Sequence, residues 1–307
     1  MVVDPISLLI TIAATLLLAP GLQGLIKRTK AFWQGRIGPP WSQAYVDLAK
    51  LVRKGSVVPD PATWWFTLAP SIVLAATLVA VALVPIAGLD SPLGVGDVIL
   101  VAGLLALARF ALALAALDTG SNFGGMGASR EMAISALVEP TLLVTVFALA
   151  IPAGSTDLGQ LASAALPLAS FGPANVLALA ALLIVAIAET GRIPVDNPDT
   201  HHELTMVHEG MLLEYSGRPL ALLLSAALIK QVVVLSLIAA LVAPWGMTLA
   251  LPLALIVWVA KLAVLGVLLA CAETALAKLR ILRLPDLLAS GFALGGLSLV
   301  ARAVWGG

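Results

Sequence analysis

The chain has 307 residues, 61% apolar and 11% charged, against about 45–50% and about 25% in soluble domains, which argues against a water-soluble fold. Seventeen Lys and Arg balance seventeen Asp and Glu, so there is no basic excess of the kind a nucleic-acid binder uses, and nucleic acid is set aside as a partner. Cys271 is the only cysteine; it can form no internal disulfide and cannot alone hold an iron–sulfur cluster or a structural zinc, so a redox cofactor would have to sit in a partner.

Mean hydropathy is +1.06, and the apolar residues fall in runs of the length that crosses about 30 Å of hydrocarbon. Eight such spans are predicted, at residues 6–26, 63–89, 95–117, 132–152, 173–190, 219–243, 247–271 and 284–305. The fold class expected is an all-α integral membrane protein with about eight transmembrane helices and polar cytoplasmic loops. The first run follows Asp4 rather than a basic residue, so it reads as a retained helix and not as a secretion signal. No repeat or low-complexity linker divides residues 1–307, which read as a single polytopic membrane domain.

Loop charge sets the expected orientation. Lys27, Arg28, Lys30, Arg36, Lys50, Arg53 and Lys54 follow the first span; Arg130, Arg192, Arg218, Lys278, Arg280 and Arg283 occupy later loops on the same side. The opposite loops, around Asp90, Asp157 and Pro244, hold no Lys or Arg. That bias places the basic loops in the cytoplasm and both termini outside, in a cell's inner (cytoplasmic) membrane. Within the first cytoplasmic loop, 27–62, residues 41–54 carry Trp41, Tyr45, Leu48 and Val52 at helical spacing. They predict a short amphipathic helix on the membrane surface or against a partner; the alternative is a solvated basic loop.

Arg109, Lys230 and Lys261 lie well inside predicted spans. Each would cost about 2.5–3.5 kcal/mol facing lipid, so they are expected to face inward, toward acids, backbone or water. Glu139 lies within the fourth span, Asp118 closes the third, and Glu189 and Glu273 close the fifth and seventh. These groups read as a hydrated line able to pass protons; the competing reading is a set of locked ion pairs that only order the bundle. Glu273 is the weakest member, since a helix-end acid can reach bulk water.

The polar segment 189–218 begins as a shaped loop, because Pro194 and Pro198 interrupt it. From Asp199 a helix is expected that would put Glu203 and Glu214 on one face and His201 and His208 on another. No zincin pattern is present, since His208-Glu209 is followed by Gly210-Met211-Leu212, and proton relay is favoured over metal binding. The loop predicted at 118–131 has four glycines but no phosphate-loop ending; its glycines are expected to let backbones approach, beside a partner or between helices.

The stretch ETGRIPVDNP followed by HELTMVHEGMLLEYSG resembles the membrane subunit shared by respiratory complex I (its subunit 1) and the energy-converting membrane-bound NiFe hydrogenases, formate hydrogenlyase subunit 4 included. QGRIGPP at 34–40, LDTGSNFGGMGASRE at 117–131 and AKLRILRLPDLL at 277–288 match in the same order, nearly end to end. The spacing between Glu203 and Glu214 and the MVHE run favour the hydrogenase branch; Asp286, where Glu is expected, is a conservative departure.

The resemblance implies a non-catalytic membrane anchor of a multisubunit oxidoreductase. A NiFe hydrogenase-like large subunit and an iron–sulfur small subunit would dock on it, with antiporter-like subunits alongside in the membrane. The NiFe centre and the iron–sulfur clusters would belong to those partners, and electron transfer would be coupled to ion movement. It also implies that Glu139, Glu189, Asp196, Glu203, Glu209 and Glu214 serve proton transfer or coupling, beside the intramembrane Arg109, Lys230 and Lys261, and that Arg36 and Arg192 serve docking or loop ordering. Complex I members line a quinone cavity here; nothing in these residues shows that a quinone binds. The rival readings are a quinone-reducing complex I-type subunit, an independent ion transporter, motivated by the three intramembrane cations, and a passive scaffold.

Overall fold

The computed structural model describes residues 5–86, 91, 93, 95–165, 172–197, 206–246 and 248–305. Helices α1 (Pro5–Trp33), α3 (Trp64–Leu83), α4 (Val98–Asp118), α5 (Asn122–Ala150), α7 (Pro173–Glu189), α9 (Gly217–Val242), α10 (Leu251–Ala275) and α11 (Leu284–Trp305) correspond one to one with the eight predicted spans. Seven are long and apolar enough to cross a membrane, and α7, with 17 residues, is shorter. The short helices α2 (Gln43–Arg53), α6 (Leu158–Ala165) and α8 (His208–Leu212) lie between them. Among the described residues there is no strand, only an isolated bridge between Asp97 and Asp157.

Local chemistry places the helix starts. The side chains of Thr63, Asp97 and Ser121 accept from the backbone N–H of Trp65, Ile99 and Gly124, satisfying donors at the starts of α3, α4 and α5. Pro173 opens α7, where its missing N–H costs nothing. At the start of α9, Gly217 has φ +56° and packs so closely on Gly55 that a Cβ would collide with that carbonyl.

Helix α9 is the hub, packed against α1, α2, α3, α6, α7 and α10. Its residues Gln231 to Leu241 are buried without interruption. The sequential neighbours α3, α4 and α5 pack in order, α7 and α11 close on α5, and α10 lies along α1. Outward faces stay apolar, with Leu9, Leu17, Val264, Leu268 and Val300 each at least half exposed, as lipid rather than water as solvent permits.

Two expectations are corrected. Residues 122–131, predicted as loop, form the first turns of α5, because capping by Ser121 outweighs the low helix propensity of the glycines. Those glycines serve close approach between helices: a Cβ at Gly127 would lie 2.8 Å from the Val207 carbonyl oxygen and 3.2 Å from the Met211 amide nitrogen. Nor does one helix run from Asp199 through Glu214. Met206 and Val207 are not helical, and α8 covers only His208–Leu212, so no unbroken helix carries the segment to Glu214. The amphipathic helix forms as expected, as α2, tied to the bundle by a Tyr45 hydroxyl that donates to the Leu17 carbonyl.

Candidate functional site: a buried ionic chamber

Arg109 projects from the middle of α4 and is 6% exposed. Its Nη2 donates to Glu189 Oε2 at 2.6 Å and its Nη1 to Glu139 Oε1 at 2.9 Å, while its Nε lies 3.7 Å from Glu131 Oε1. Glu131 and Glu139, eight residues apart on α5, share a face because two helical turns take about seven residues. Glu189, at the end of α7, also faces Lys230 of α9, with Nζ 3.7 Å from Oε1. Two cations and three acids from four helices therefore meet inside the bundle, which relieves the cost of burying each alone.

A second group lies beside the first. Arg192 Nη2 donates to Gln23 at 2.6 Å and to Gln231 at 2.8 Å, and its Nη1 lies 3.3 Å from Glu273 Oε1. Glu273 also faces Lys30 at 2.9 Å, and its side chain is fully buried. The loop after α7 thus joins α1, α9 and α10 through one guanidinium. Next to it, Asp196, 2% exposed, accepts from the amides of Asn197, Val207 and His208 and pairs with Lys278 at 3.3 Å. The carboxylate holds the start of α8 in place, a helix N-terminus being where negative charge is favoured.

A cavity of about 200 Å3 opens between these groups, lined by Glu131, Glu189, Arg192, Asp196, His208, Glu209 and Lys230, with Asp47 of α2 at its edge. At roughly 30 Å3 per molecule it has room for about six waters. A smaller cavity of about 30 Å3, bordered by Arg109, Glu131, His208 and Lys230, continues it toward Arg109. Burial, and after it the charge of Lys230, pushes the His208 imidazole below its usual 6.5, against weaker pulls from Glu209, Asp196 and Glu189. A neutral imidazole at the chamber wall can both accept and donate a proton.

The structure thus brings together Arg109, Glu139, Glu189 and Lys230, with Asp196 and Glu209 on the same cavity. Glu214 sits half-buried in the turn after α8 and Arg36 is exposed in the loop after α1. Glu203 lies outside the described residues, as do His201 and His202. Lys261 does not join the chamber: its amine donates to the carbonyls of Ala243 and Trp245 beyond the end of α9, and Ala243 is about 20 Å along the chain axis from Lys230 at helical rise. Arg192 is 6% exposed with its head group spent within the chain, the geometry of loop ordering rather than of a docking surface. Glu273 does not reach bulk water, because Lys30 and Arg192 enclose it.

Sequence reasoning misses Glu131, because the segment holding it reads as loop; its spacing of eight from Glu139 is the available signal. Lys30, Gln23 and Gln231 carry no such signal, since their roles depend on packing between distant helices. Among the described residues no group of three His, Cys, Asp or Glu could hold a metal ion.

Fold and chamber define a multi-pass, all-helical membrane protein that keeps a network of ionic side chains within its bundle. The chain belongs to the NADH dehydrogenase family, whose sequence pattern matches residues 6–302. It is 38% identical over 292 residues to hydrogenase-4 component C of Escherichia coli (strain K12), covering 93% of this chain and 91% of that protein. Formate hydrogenlyase subunit 4 of the same organism is 35% identical over 291 residues, covering 92% and 94%. A subunit of the NADH-quinone oxidoreductase of Thermomicrobium roseum is 30% identical over 240 residues, 70% of this chain and 69% of that one. The hydrogenase-type relatives are thus similar over more of the chain. The same fold occurs in a chain of the membrane-bound sulfane sulfur reductase, an archaeal respiratory membrane complex, with TM-score 0.86 at 19% identity and coverage of 95% and 97%.

Proposed function

We propose that this chain is the membrane anchor and a proton-coupling element of a membrane-bound hydrogenase-type complex. A NiFe hydrogenase-like large subunit and an iron–sulfur small subunit, which carry the metal centres, dock at the end of the bundle where the chamber opens. On this reading that end faces the cytoplasm and both termini lie outside, which the bias of Lys and Arg toward the same loops supports. The observation that carries the reading is the chamber itself, in which titratable groups from α5, α7 and α8 line one cavity beside the cations Arg109 and Lys230. Protons pass between the cavity and Glu139 by way of Glu131 and Glu189, with Arg109 steadying the charge.

Glu139 marks the far end of that path. Its carboxylate meets Arg109 on one side and is 42% exposed on the other. Facing lipid in ionised form it would cost about 2.5–3.5 kcal/mol, which supports an antiporter-like membrane subunit as its neighbour. The test is Glu139→Gln and Glu131→Gln in the whole complex, with proton movement in sealed vesicles read against electron turnover. The expected result is an assembled complex that moves fewer protons per turnover; unchanged coupling in both variants refutes the path, and failure to assemble favours a scaffold.

A further inference from the structure

At the end of the bundle opposite the chamber, one cation stands apart. Arg302, in the last turn of α11, is 8% exposed. The other buried cations, Lys30, Arg109 and Arg192, each face a carboxylate. Among the described residues no acid lies within salt-bridge distance of Arg302. Its Nη2 donates to the Asn175 side-chain oxygen, and its Nε has no hydrogen-bond partner among the described residues. A guanidinium taken out of water without a counter-charge is strongly unfavourable, so the site calls for an anion.

Two further features point the same way. Arg302 and Asn175 border a cavity of about 80 Å3 whose other walls include Leu149, Pro152, Leu161 and Leu241. That space equals two to three waters at roughly 30 Å3 each, the bulk of one tetrahedral oxyanion group. Asn175 also belongs to the first turn of α7, a helix of 17 residues. Its N-cap is Gly172, which has no side chain to cap the helix, and no acid lies in its first turn. The positive end of the α7 dipole therefore reinforces Arg302. The hydroxyl of Ser298, one turn before Arg302, donates to the Ala174 carbonyl at 2.8 Å and holds the two helices together at this point.

We propose that Arg302, Asn175 and the start of α7 form a binding site for a phosphate oxyanion, supplied by an anionic phospholipid headgroup or by free phosphate. The leucine and proline walls suit a phosphate carried on an apolar body, and the site lies where a membrane-spanning helix reaches its end.

The experiment uses the intact complex stripped of lipid and follows its melting temperature with phosphatidylglycerol, with inorganic phosphate, or with diacylglycerol, which lacks the phosphate. Saturating phosphatidylglycerol is expected to raise the midpoint by about 5 °C, diacylglycerol to leave it unchanged, and Arg302→Gln to abolish the rise while Arg302→Lys keeps part of it. A rise with phosphatidylglycerol alone assigns the site to lipid; an equal rise with inorganic phosphate assigns it to the free ion. The proposal is overturned if Arg302→Gln responds as the parent does, or if neither phosphate source outperforms diacylglycerol. Should the Arg302→Gln complex not assemble, the parent's three responses decide the matter by themselves.

Discussion

Glu189→Gln is the substitution whose cost the chamber geometry sets most directly. The carboxylate lies 2.6 Å from Arg109 and 3.7 Å from Lys230, and its loss affects the two cations unequally. Arg109 keeps Glu139 at 2.9 Å and Glu131 at 3.7 Å, whereas Lys230 has no other acid within salt-bridge distance among the described residues. At an effective dielectric of 20, a pair 3.7 Å apart is worth about 4.5 kcal/mol, which falls in the range of about 3–5 kcal/mol for breaking a buried pair. Most of the cost is thus the weakened hold on the Lys230 charge, which keeps only the longer-range attraction of Glu131 across the cavity. Glu189→Gln alone should destabilise the chain by about 3–5 kcal/mol, and adding Lys230→Met should recover roughly half of that. The assay is chemical denaturation of the complex in detergent for the parent, both single variants and the double variant. If the double variant is as unstable as the two single losses added together, Lys230 is not held by Glu189 and the reasoning fails.

Three other outcomes follow from the same geometry. Arg192→Leu leaves Glu273 with Lys30 alone and removes the tie between α1, α9 and the loop; a loss of about 3 kcal/mol is expected, seen as faster proteolysis near residues 190–197, and parental resistance would contradict it. His208, held below 6.5 by burial and Lys230, resists a proton that the unfolded chain accepts, so its contribution to stability is present above about pH 6.5 and is lost as pH falls below it. His208→Gln should therefore shrink the drop in melting temperature between about pH 7.5 and about pH 5.5; an unchanged drop would remove His208 from the account. Gly127→Ala drives a Cβ to 2.8 Å from the Val207 carbonyl oxygen and should cost about 1–3 kcal/mol, whereas Gly125→Ala, with open space around it, should be neutral or slightly stabilising; equal melting temperatures for the two would disprove the close packing of α5 on α8.

The sequence by itself determined the lipid-facing architecture, because burying backbone in hydrocarbon leaves few choices but long apolar helices, and each run produced one. It also determined that Arg109 and Lys230 turn inward, since either facing lipid is too costly. The amphipathic spacing of Tyr45, Leu48 and Val52 carried α2 in the same way, and the 189–217 motif carried the family.

Which charges pair was decided only by the tertiary structure. Arg192 reads as available for docking from its loop position alone, yet Gln23, Gln231 and Glu273, from three helices, surround it. Glu273 at a helix end reads as open to solvent, yet Lys30 of α1 closes over it. Lys261 resembles Lys230 in composition and depth, but the carbonyls beyond the end of α9 claim it instead. Partners on different helices leave no trace in local spacing, because their energies depend on distances that exist only after the helices have packed.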